Sequence, residues 1–147
     1  MKQLICRCLL AGAALLAPAL AHAQGAVLTV RVENVSPKGG NLRLALYNRK
    51  NYDEDDAAPV VDLVVPAKGT VDTVTFSAVA PGTYAVKMFQ DENCNEEFDQ
   101  TWLGFPEERY GFSNNARPDI LHLGPPSFDD AKIVLKDGAN SITIRLR

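Results

Sequence analysis

The chain has little of what most enzymes use. Its 147 residues include two histidines, three cysteines and one tryptophan, and only 7% are aromatic. No Cys-x-x-Cys and no His-rich tract is present, so structural zinc is not expected. No nucleophile-elbow motif surrounds Ser113 or Ser127. A formal net charge of -3 without a basic stripe gives nucleic acid nothing to bind. No stretch sustains a helical period, and no long apolar run follows residue 20. A 46% apolar share against 22% charged residues is too apolar for a disordered chain. The length suits one domain.

What is present begins with an export pattern. Lys2 and Arg7 precede an apolar run from Leu9 to Leu20, which ends in Ala21-His22-Ala23, a small-x-small cleavage site. This reads as a Sec-type signal peptide spanning residues 1–23; the run is short for a membrane anchor. Cleavage after Ala23 leaves 124 residues with a formal charge of -5, one histidine and Cys94 as the sole cysteine. An internal disulfide is then impossible. Cys94 is expected to be buried and inert, with pairing to another molecule as the alternative. The expected location is periplasmic or secreted, with no transmembrane segment after cleavage.

The rest reads as strands. Leu28, Val30 and Val32 alternate with polar neighbours, as do Leu42, Leu44 and Leu46, and Ile142, Ile144 and Leu146. A period of two places one set in a core and the other in water. Segments 60–65, 71–76, 83–89 and 132–135 bring the set to about seven strands, punctuated by turns such as Pro37-Lys38-Gly39-Gly40 and Pro81-Gly82. The expected fold is all-β: one antiparallel Greek-key β-sandwich, immunoglobulin-like or prealbumin-like, over residues 24–147. Tyr84, just after Pro81-Gly82-Thr83, is read as a tyrosine corner, the alternative being a plain turn. Asp53 to Asp56 is read as an exposed acidic loop.

Residues 91–130 break the pattern. They show no clear alternation yet carry Trp102, Phe105, Tyr110, Phe112 and Phe128, which predicts an ordered loop packed on an end or edge of the sandwich. Its start, Asp91-Glu92-Asn93-Cys94-Asn95-Glu96-Glu97-Phe98-Asp99, spaces oxygens at alternate positions. Asp91, Asn93, Asn95, Glu97 and Asp99 occupy the ligand places of a calcium loop. Glu96 stands where the turn favours glycine, and Trp102 where a bidentate acid would close the site; Glu107 or Glu108 could close it from further on. The alternative is an Asx-rich turn without metal. Residues 91–108 hold seven acids and no base, a charge that either water or a cation must answer.

Together, the Asp91–Asp99 loop, the run Leu103-Gly104-Phe105-Pro106-Glu107-Glu108-Arg109-Tyr110-Gly111-Phe112-Ser113-Asn114-Asn115-Ala116 and the turn Gly124-Pro125-Pro126-Ser127-Phe128 carry a resemblance. The chain resembles the secreted bacterial domain of unknown function twenty-one forty-one. The family's loop reads D-E-N-G-N-G-x-x-D, and its two glycines are Cys94 and Glu96 in this chain. The resemblance implies a small exported β-sandwich with no assigned activity. More weakly, Pro81-Gly82-Thr83-Tyr84 is similar to the strand start of prealbumin-like carboxypeptidase regulatory and collagen-adhesin B-type modules.

The functional expectation is an exported binding or accessory module, with calcium as a stabilising ion and an unidentified protein or small ligand as partner. Trp102, Tyr110, Phe112, Asn114 and Asn115 are the candidate ligand or partner contacts; for Asn114 and Asn115, satisfying loop backbone is the competing role. The alternatives are a small hydrolase with Tyr110, Asn114, Asn115 and His122 as its site, and a structural component of an envelope assembly. No catalytic residue is assigned.

Overall fold

A computed structural model describes residues 25–54, 57–118 and 124–147. The signal-peptide reading of residues 1–23, and the readings of Asp55, Asp56 and His122, lie outside the described residues. The described residues form eight strands: β1 (Ala26–Glu33), β2 (Asn41–Asn48), β3 (Val61–Pro66), β4 (Val71–Val79), β5 (Gly82–Asp91), β6 (Tyr110–Phe112), β7 (Ile133–Leu135) and β8 (Gly138–Arg145). Two four-residue helices, α1 (Arg49–Tyr52) and α2 (Phe128–Ala131), and a 3-10 turn at Ser113–Asn115 accompany them. One sheet runs β4-β1-β8 and the other β3-β2-β5-β6, with β7 also on β5. This is the expected β-sandwich. Its ladders are antiparallel save one: β1 and β8 run parallel, Ala26 beside Gly138 and Glu33 beside Arg145.

Alternation placed the core correctly. Leu28, Val30, Val32, Leu42, Leu44, Leu46 and Ile144 are completely or almost completely buried between the sheets. Burying such a side chain contributes about 1.5–3 kcal/mol, and β1 and β2 supply six of them. Tyr84 is a tyrosine corner: its hydroxyl donates to the Ala80 carbonyl at 2.9 Å.

The segment read as loop contains β6 and α2. A three-residue strand is too short to display a period, so β6 left no signal. It shares the free edge of β5 with β7: β7 pairs with residues 82–84 of β5 and β6 with residues 87–89. The ladder therefore breaks at Val86. Ser113 fills the break, its buried hydroxyl accepting from the Val86 N–H at 2.9 Å and donating to the Ala131 carbonyl. Beyond β6, the Tyr110 and Arg147 main chains exchange hydrogen bonds, while the Leu146 N–H bonds the Glu33 carbonyl. The end of the chain thus ties the two sheets together. Gly111 lies beneath it, where a Cβ would meet Ile144 Cγ2 at 2.6 Å.

Candidate functional site

The same alternation that buries Leu42, Leu44 and Leu46 turns Arg43, Ala45 and Tyr47 outward. On β5 the inward set is Tyr84, Val86, Met88 and Gln90, so Ala85, Lys87, Phe89 and Asp91 face out. The outer face of an antiparallel sheet commonly meets water. Here it is covered at both ends. Tyr52, Phe128, Ala131 and Ala85 form a second small core under α1 and α2, with Tyr47 and Ala116 against it. At the other end stands the loop that follows β5. Between them lies a groove of about 730 Å³, its lining including Arg43, Ala45, Lys87, Phe89, Tyr110 and Phe112.

Aromatic rings run continuously along this groove. Phe89 and Phe98 lie 5.3 Å apart, Phe98 and Tyr110 5.9 Å, and Tyr110 and Phe112 5.9 Å, the last two pairs edge-to-face. Such pairs add about 0.5–1.5 kcal/mol each beyond area burial. Lys87 crosses the other end. Its ammonium donates to the Tyr52 carbonyl at 2.6 Å and lies 4.1 Å from the Tyr52 ring centroid and 4.8 Å from that of Tyr47. Burial raises the Tyr52 hydroxyl well above its ordinary value, with Asp53 and Asp130 adding to it. It stays protonated and donates to the Pro126 carbonyl at 2.9 Å. Burial, then Asp62, raises Tyr47 likewise.

The acidic loop walls the groove. Its root is held by Gln90, fully buried, which accepts from the Ser36 N–H at 2.7 Å and donates to the Ser36 and Gly39 carbonyls. Gly40 allows the close crossing: at φ +82°, a Cβ there would stand 2.1 Å from the Asp91 carbonyl oxygen. Asp91 is fully buried. Its carboxylate accepts from the N–H groups of Asn95 (3.1 Å) and Glu96 (3.0 Å) and from Arg43 Nε (3.1 Å). Arg43 also reaches Glu96 at 3.4 Å.

Four of the five proposed calcium ligands come together. Asn93 and Asn95 donate their side-chain amides to the two Asp99 oxygens at 2.6 and 3.0 Å, and their own oxygens accept loop N–H groups. Glu97 supplies only its N–H, and its side chain is exposed. The closing acid is Glu108, buried, accepting from the N–H groups of Glu92 (2.8 Å) and Asp99 (3.2 Å). Among the described residues, no three His, Cys, Asp or Glu side chains are grouped to hold a metal. The loop is instead closed on itself, with a guanidinium against its deepest carboxylate. Cys94 (φ 60°) and Glu96 (φ 71°) adopt the left-handed backbone that favours glycine.

Several expectations are corrected. Cys94 is exposed, not buried, because its turn projects it outward. Trp102 and Phe105 are not buried against the sandwich: they are 91% and 56% exposed on a turn closed by Thr101 and Phe105, where Phe105 edges the groove. Phe98 packs against Phe89 on the outer face of the sheet. For Asn114 and Asn115 the side chains take the competing role, serving main-chain groups. Asn114 donates to the Asp130 and Lys132 carbonyls, while Asn115 donates to the Thr143 carbonyl and accepts from the Arg145 N–H. Both take the left-handed backbone, at φ 58° and 52°. Ser113 and Ser127 are likewise committed, Ser127 as the N-cap of α2, so neither is poised as a nucleophile.

Sequence reasoning passed over Arg43, Lys87, Phe89 and Arg117. A signal was available: once Val86 and Met88 point inward, an outward Phe89 needs a cover. Among the described residues, no helix is long and apolar enough to cross a membrane.

No curated protein and no solved structure matches the chain. The profile of one bacterial family matches residues 30–143, from the middle of β1 almost to the end of β8. That span takes in the groove, its acidic wall and the Tyr110–Asn115 tie, and the chain therefore belongs to the uncharacterised protein family conserved in bacteria, DUF2141.

Proposed function

We propose that this chain is an exported binding module whose ligand site is the groove on the outer face of the β3-β2-β5-β6 sheet. One observation carries the reading: the run Phe89, Phe98, Tyr110 and Phe112 is laid on the face of the sheet that would otherwise meet solvent, walled by two loops. The groove's volume falls in the range of small-molecule sites, which are mostly apolar with a few placed polar groups. The pattern of residues 1–23 supports export. The test is binding of the uncharged dye Nile red. The wild-type protein is expected to bind it saturably at one site. Ala45→Trp, which fills the groove floor, is expected to abolish this without changing the urea unfolding curve. Equal binding by a normally folded Ala45→Trp protein overturns the reading.

Calcium has a place in this proposal as a brace for the groove wall. The meeting of Asp91, Asn93, Asn95 and Asp99, with Glu108 behind them, supports it. The ion would have to displace Arg43 from Asp91, which places the affinity in the weak class of about 10⁻⁴–10⁻³ M. The exposed Trp102 tip favours a second reading, in which the module docks onto another envelope protein through that turn.

A further inference from the structure

We infer that the groove takes an amphipathic anion, a single carboxylate on an aliphatic body, with the carboxylate at Arg117 and the body along the aromatic run. This rests on the groove being the binding site. The charge of the lining runs against that of the chain. In a chain of net charge -3, the groove presents Arg43, Lys87, Arg117 and Arg147 against Asp62 and Glu96. Two of these cations are occupied: Arg43 by Asp91 and Glu96, and Lys87 by the Tyr52 carbonyl and the two tyrosine rings. The other two also line the groove. Arg147 donates to the carbonyls of Asn115 (2.6 Å) and Ala116 (3.0 Å), the residues just before Arg117. Those acceptors are neutral, so the charge of Arg147 is positioned but not cancelled. Arg117 is exposed and, among the described residues, has no hydrogen bond or ion pair.

Two guanidinium groups that line an aromatic groove, neither ion-paired among the described residues, recognise an anion joined to an apolar body. A guanidinium offers a carboxylate two parallel N–H donors. The rings offer surface for an alkyl chain and no acceptors for a second charged group.

The experiment is isothermal titration of the purified protein at pH 7 with octanoate, 1-octanol and octylamine. The same titrations are run on Arg117→Gln and on Arg117→Lys. Octanoate is expected to bind at least about tenfold more tightly than octanol. Arg117→Gln removes that preference and leaves octanol binding unchanged, while Arg117→Lys restores part of it. If octanol or octylamine binds as tightly as octanoate, or if Arg117→Gln keeps the preference, the anion inference is overturned and the groove reading stands. If none of the three binds at millimolar concentration, both are overturned.

Discussion

Replacing Arg43 by methionine tests what holds the groove wall in place. The side chain of Asp91 is 0% exposed and that of Arg43 17%, with Nε and Oδ2 3.1 Å apart. At an effective dielectric of about 20, two unit charges at this distance attract by about 5 kcal/mol before desolvation is counted. Removing one partner of a buried pair costs about 3–5 kcal/mol, because the other charge is left without compensation. Asp91 keeps two N–H donors, from Asn95 and Glu96. These reduce the expected loss to about 3 kcal/mol. With a urea slope of about 2 kcal/mol per molar, the unfolding midpoint falls by about 1.5 M. Methionine retains the aliphatic stem, so lost packing is not what the measurement reads. Asp91→Asn is expected to be costly alone, and the double variant less so than the sum of the two. A midpoint within about 0.3 M of wild type, or strict additivity, would refute the claim that this guanidinium serves as the loop's cation.

Three other outcomes follow from the same wall. Millimolar calcium is expected to raise the melting temperature slightly and a chelator to reverse it; the rise should be larger in Arg43→Met, where Asp91 is freed, and melting curves unmoved by calcium in both proteins would refute the brace. Burial pushes the Glu92 carboxyl up, but hydrogen bonds from Lys38 and Ser36, with the charges of Lys38 and Arg109, outweigh this and hold it below its ordinary value. Its contribution is therefore present above the unfolded-state value and lost as pH falls through the folded-state one, so Glu92→Gln should flatten the stability profile between roughly pH 5 and 3; an unchanged acid limb would refute it. Gly40→Ala places a methyl group 2.1 Å from the Asp91 carbonyl at φ +82° and should cost at least about 3 kcal/mol; near-native stability by urea unfolding would show that the crossing can relax.

Where a residue's role depended on its strand's own alternation, it could be read from sequence. Leu28 to Val32, Leu42 to Leu46 and Ile142 to Leu146 named the core because each strand carries the pattern within itself. Tyr84 was legible because its hydroxyl partner, Ala80, is four residues away. The site was less so. Arg43 meets Asp91 across 48 residues, and Arg147 meets Ala116 across 31. Neither partner marks the other locally. The meeting of Asp91, Asn93, Asn95 and Asp99 was visible because a curled loop brings alternate positions together. Asn114 and Asn115 stayed ambiguous because a polar pair beside aromatics has the same composition whether it serves a ligand or the main chain.

The parallel pairing of β1 with β8 also sets an order of events. β1 is the earliest strand of the fold and the middle strand of its sheet, yet its β8 neighbour is 112 residues further along, the separation of Asn34 from Leu146. During synthesis, Val30 and Val32 have no complete sheet to join until β8 has been made. Contacts so distant in sequence form slowly. A nascent chain of this kind cannot finish folding from its leading end, and removal of residues 138–147 would leave β1 paired with β4 alone, at the edge of a two-stranded remnant.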